Sequence, residues 1–112
     1  MYKLIALDMD GTLFNSDKQI TDRTKETLAQ ARALGVKIVL ASGRPLAGLQ
    51  PPLKELDLIH EGEYVLSFNG GALTENKDNR IIEFNGLGFD KMKEIFEFGL
   101  KQDVCIHVYT ND

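Results

Sequence analysis

The chain is poor in cysteine, histidine and proline and has no tryptophan: one Cys, two His and three Pro in 112 residues. A lone Cys105 excludes a disulfide framework and a thiolate metal site. It is expected to be a reduced, half-buried thiol in the cytoplasm. No apolar run approaches the roughly 20 residues that a membrane helix needs. Asp8 interrupts the N-terminus before a signal-peptide core could form. No Gly-x-Gly-x-x-Gly follows a strand and no Gly-Lys-Ser/Thr occurs, so the dinucleotide and P-loop readings fail. There is no basic cluster, and the net charge is −4, which argues against nucleic acid as a partner. Repeats and low-complexity tracts are missing as well.

What is present is ordinary globular material, 43% hydrophobic and 27% charged, enough for one domain. The run from Lys3 to Leu7 is mostly apolar and reads as a strand buried on both faces. It runs into Asp8-Met9-Asp10-Gly11-Thr12. Residues two apart on a strand share a face, so Asp8 and Asp10 are expected to project together from its C-terminal end. Two close carboxylates favour a hard cation such as Mg²⁺ or a shared proton. The N–H groups at Gly11 and Thr12 suit an anion nest. The plain alternative is an ordinary Asp-Gly turn.

Beyond it the pattern is α/β. Phe14 to Ile20 is a polar loop. Thr21 suits an N-cap and Gly35 a C-terminal stop, giving a helix over 22–34 with Thr24, Leu28, Ala31 and Leu34 facing the core. Val36 to Ala41 reads as a second parallel strand. Ser42-Gly43-Arg44-Pro45 follows it, where a hydroxyl and an N–H can hold a phosphate oxygen. Arg44 can pair locally or reach a phosphate bidentately. Leu46, Leu49, Leu53 and Leu56 keep helical spacing after Pro45 at a first turn, but Pro51 and Pro52 predict a kink or two short helices. Tyr64 to Phe68 is a third strand, closed by Asn69-Gly70-Gly71. The Asn69 amide can hydrogen-bond a substrate hydroxyl or a phosphate. A hairpin (72–74 with 80–84), a linker (85–88), a helix (89–102) and a strand-like segment (104–109) complete the order. His107 reads as a packed or surface residue.

Asp8-Met9-Asp10-Gly11-Thr12-Leu13 resembles the first motif of the haloacid dehalogenase superfamily of phosphohydrolases. Ala41-Ser42-Gly43-Arg44-Pro45 is similar to its second motif, and Ser67-Phe68-Asn69-Gly70-Gly71 to the Asn-Gly signature of its Cof-type, YidA-like sugar-phosphatase branch. The resemblance implies a Rossmann-like parallel sheet, incomplete over residues 1–84, and the start of a C2-type α/β cap over 85–112. It implies Asp8 as nucleophile and Asp10 as acid and base. Mg²⁺ is expected on Asp8 and the Asp10 carbonyl, and a small phosphorylated metabolite as substrate. Phosphoryl or substrate contacts are expected from Met9, Gly11, Thr12, Ser42, Gly43, Arg44, Asn69 and Gly70. The family's later lysine and acidic motifs are not in the chain. It is therefore expected to be an N-terminal portion, inactive or impaired alone, in which the first strand is an exposed apolar edge inviting self-association or strand exchange. A receiver-like signalling domain needs an aspartate ending the third strand, where Phe68-Asn69 stands. A non-catalytic remnant is the other competitor.

Overall fold

A computed structural model describes residues 1–110; residues 111 and 112, the end of the expected cap segment, lie outside it. Five strands form one sheet in the order β1-β2-β3-β4-β5. β1 (Leu4–Leu7), β2 (Lys37–Ala41) and β3 (Tyr64–Ser67) are parallel neighbours, and β4 (Ala72–Glu75) and β5 (Arg80–Phe84) continue antiparallel. The expected hairpin therefore extends the same sheet. Three helices accompany it: α1 (Asp22–Ala33), α2 (Leu46–Glu55) and α3 (Phe89–Leu100).

The core lies on one face. Ile5 pairs with Ile38 and Leu7 with Leu40, while Leu40 pairs with Val65. These side chains meet Met9, Leu13, Leu49, Leu53 and Leu28. β1 does not have both faces buried, as its apolar run suggests. Among the described residues it has β2 as its one neighbour, and Leu4 is 54% exposed. Continuous apolar patterning marks a strand made for cover on both sides, but the described residues supply cover on one. The expected exposed edge is what the structure contains.

α1 is bounded as its sequence indicates. Thr21 Oγ1 accepts from Thr24 N at 3.2 Å. At the other end Gly35 takes φ +86°, and Val36 N donates to Ala31 O at 3.1 Å, a Schellman closure. Leu34, expected on the core stripe, is 71% exposed, because it already lies in the cap and the chain turns away. α2 corrects the alternative of two short helices. It is one continuous helix through Pro51 and Pro52, with Pro45 as its N-cap instead of in its first turn. The two prolines leave the Ala47 and Gly48 carbonyls without their intrahelical donors, and burial of Leu49, Pro52 and Leu53 holds the helix regardless.

Residues 104–109 form no strand. β1 and β5 are the outer strands of the sheet, but the segment pairs with neither, and propensity without pairing is weak. Cys105 is exposed, not half-buried; its thiol lies 3.3 Å from His107 Nε2, and His107 is exposed too. No helix among the described residues is long and apolar enough to cross a membrane.

Candidate active site

Parallel order brings three turns to one edge of the sheet, since β1, β2 and β3 all end there. Asp8 leaves β1 in extended backbone (φ −70°, ψ 157°). Met9 is fully buried, while Asp8 and Asp10 are exposed. The alternation thus carries past the strand end and turns both acids away from the core. Asp10 (φ −70°, ψ 123°) and Gly11 (φ 77°, ψ 1°) have the angles of a type II turn, whose second central residue needs positive φ. Leu13 N donates to Asp8 O at 3.1 Å and Phe14 N to Met9 O at 2.8 Å, closing the loop.

The second and third turns are tied together. Ser42 N donates to Leu66 O at 3.0 Å, Asn69 N to Ser42 O at 3.0 Å and Phe68 N to Arg44 O at 3.1 Å. Phe68, Asn69 and Gly70 all take positive φ (53°, 55° and 87°). Two non-glycine residues in that region cost about 1–3 kcal/mol each and persist when their surroundings hold them. The crossing backbone bonds do so here. Gly43 permits the approach: a Cβ there would stand 3.0 Å from Asn69 Oδ1.

Between the turns lies a cleft of about 320 Å³ walled by Asp8, Ala41, Ser42, Gly43, Leu66, Asn69 and Gly70. A carboxylate, a hydroxyl and an amide therefore face one space. Ser42 Oγ accepts from Arg44 N at 3.1 Å, which leaves its own hydrogen free to donate to an anion. Arg44 Nη2 lies 2.8 Å from Asp10 Oδ1, so of the two alternatives for Arg44 this structure contains the local pair. Met9, Asp10, Gly11, Thr12 and Arg44 are outside the wall; Met9 lies between the two acids, and Gly11 and Thr12 continue the turn after Asp10. Sequence reasoning missed Ala41 and Leu66, whose strand-end positions could have suggested them. It also missed Phe14, whose ring centre lies 5.5 Å from the Arg44 guanidinium carbon. No local pattern links residues thirty positions apart.

The donor set fits a hard divalent cation. Asp8 faces the cleft. The Asp8 and Met9 carbonyls are taken by Leu13 and Phe14 N–H, and the Asp10 carbonyl is the next backbone oxygen along this loop. Among the described residues no group of three His, Cys, Asp or Glu side chains could hold a metal. Two protein oxygens suit Mg²⁺, which keeps several waters, better than Zn²⁺.

A family profile described as haloacid dehalogenase-like hydrolase matches residues 5–112. YxeH of Bacillus subtilis, provisionally named a phosphatase, is 41% identical over 111 residues, 99% of this chain and 41% of that protein. YwtE of the same organism, named a 5-amino-6-(5-phospho-D-ribitylamino)uracil phosphatase, is 27% identical over 98% of this chain and 36% of its own. A crystal structure of a haloacid dehalogenase-like hydrolase from Bacteroides thetaiotaomicron superimposes with a TM-score of 0.79 at 39% identity, covering 89% of this chain and 38% of that one. The chain spans about two fifths of the length of these relatives.

Proposed function

The chain belongs to the haloacid dehalogenase-like hydrolase family, and from that premise we propose that it is the N-terminal part of a Mg²⁺-dependent phosphomonoesterase. The observation that carries the reading is the convergence of Asp8, Ser42, Gly43 and Asn69 on one cleft. An Asp8 oxygen bonds to phosphorus while the ester P–O bond breaks, and Asp10 gives its proton to the leaving alcohol. Asp10 then takes a proton from the water that attacks phosphorus, and the Asp8–phosphorus bond breaks to free phosphate. The N–H groups of Met9 and Asp10, with Ser42 and Gly43, hold the phosphoryl oxygens, and the Gly11–Thr12 turn shapes that loop. Asp8 and the Asp10 carbonyl would hold Mg²⁺, which would supply charge neutralisation for the approach of an anionic nucleophile to an anionic phosphate.

Residues 1–84 belong to the catalytic core and 85–112 to the start of its cap in this reading. Asn69 and Gly70 lie where a substrate hydroxyl is read, and sugar phosphates are the substrate class. The phosphoribityl compound in the name of YwtE supports that class. A cytoplasmic setting suits the single unpaired cysteine. The test is hydrolysis of p-nitrophenyl phosphate by the complete enzyme with and without Mg²⁺. Asp8→Asn should abolish turnover and leave the circular dichroism spectrum unchanged; normal turnover in that variant removes Asp8 from the nucleophile role.

The unpaired β1 edge favours a second reading for the 112-residue chain alone, a non-catalytic module that self-associates. Its exposed backbone and Leu4 are a template for a further strand. Sedimentation should give concentration-dependent dimers that Leu4→Lys removes, and a monomer at every concentration rules this out.

A further inference from the structure

Arg44 joins all three turns of the site. Its N–H donates to Ser42 Oγ, its carbonyl accepts from Phe68 N, and its guanidinium reaches back to Asp10 at 2.8 Å. The guanidinium also lies over the Phe14 ring, a contact that favours a cation and fixes its plane. The Asp10 side chain is 59% exposed. An exposed aspartate without a partner samples several rotamers, and proton transfer to a departing oxygen requires one. Arg44 engages a single oxygen, Oδ1, and leaves the other for the proton. Arg44 and Asp10 both lie just outside the wall of the cleft, within two residues of the lining Gly43 and Asp8, and of the guanidinium's donors Nη2 is committed to Asp10.

We propose that Arg44 is a positioning residue: stacked on Phe14, it orients the Asp10 carboxylate for proton transfer and does not bind the phosphoryl group. This rests on the phosphatase reading above. In the chemical step Arg44 exchanges no proton. It fixes the carboxyl group that protonates the ester oxygen as the P–O bond breaks.

The experiment compares two esters in the complete enzyme. Loss of the acid matters for an alkyl phosphate, whose alkoxide leaves poorly, and little for p-nitrophenyl phosphate, whose phenolate leaves unaided. Arg44→Ala should lower kcat/KM for an alkyl phosphate about tenfold or more and that for p-nitrophenyl phosphate by less than about threefold. Inorganic phosphate binding, measured by calorimetry, should stay within about threefold, because Arg44 does not touch it. Arg44→Lys should recover part of the loss. Phe14→Leu, which keeps both charges, should show the same selectivity at about two- to fivefold and carries the test if Arg44→Ala does not fold. An equal loss on both esters, or phosphate binding weakened about tenfold, overturns the proposal. A wild-type enzyme inactive on both esters overturns the phosphatase reading itself, and the inference with it.

Discussion

Gly43 has room for a hydrogen and little more. Its missing side chain lets the Asn69 amide lie against the second turn, and a methyl there must push the amide by a few tenths of an ångström. Displacements of that order at a reacting centre cost rate more than stability. Gly43→Ala should lower kcat/KM for phosphate esters by about 3- to 30-fold while shifting the thermal midpoint little, as steady-state kinetics and a melting curve can check. Asp8, Ser42 and Asn69 were legible in the sequence because each follows an apolar run that ends in a turn, and parallel order does the rest. The pairing of Arg44 with Phe14 was not, since a cation and a ring so far apart in sequence leave no periodic trace.

At the scale of elements, α1 and α2 test different forces. α1 depends on its ends: Thr21→Ala removes the bond to Thr24 N and should cost about 1 kcal/mol in urea denaturation of the chain. α2 depends on its buried face: Leu53 is fully buried, and Leu53→Ala should cost about 2–5 kcal/mol in the same measurement. The sequence marked α1's bounds because caps are local chemistry. Its alternative of two short helices at Pro51 and Pro52 is wrong because the cluster that Leu49 and Leu53 form with Leu40 and Val65 is not written near the prolines. Residues 104–109 fail for a related reason: strand propensity was readable, but whether the chain brings the segment to an open edge was not. The β4–β5 hairpin carries an electrostatic clasp. Glu75 accepts from Arg80 at 2.7 Å and from Gly62 N at 3.1 Å. The Arg80 bond, then the Gly62 bond, hold the Glu75 carboxyl below the usual glutamate range. A lowered folded value gives stability that is full above the unfolded value and lost as pH falls through the folded one. Stability should therefore decline as pH falls below the usual glutamate range, and Glu75→Gln should flatten part of that decline in denaturant midpoints taken at successively lower pH.

As a whole molecule the chain is open. Its accessible surface is 7980 Å², against about 6,200 Å² for a compact monomer of its mass. Its radius of gyration is 16.3 Å, against about 13 Å for a compact chain of this size. The excess is apolar in large part: Leu4 on β1 and Phe89, Ile95, Phe98 and Leu100 on α3 are all more than half exposed. Fluorescent apolar dyes should accordingly bind the native chain before any denaturant is added, and quantitative titration at low temperature checks it. The fold class was readable from alternating strand and helix signals, while no local pattern in β1 or α3 says which of their faces stay bare. The position of Met9 has a slower consequence. Its thioether is sealed from solvent while that of Met1 is 96% exposed, so peroxide reaches Met1 in the folded chain and Met9 when the fold opens. A sulfoxide at Met9 is too polar to return to the interior without cost, and the two flanking acids would lose their common anchor. Oxidative ageing of the Asp8–Asp10 loop thus keeps a record of every opening of the domain.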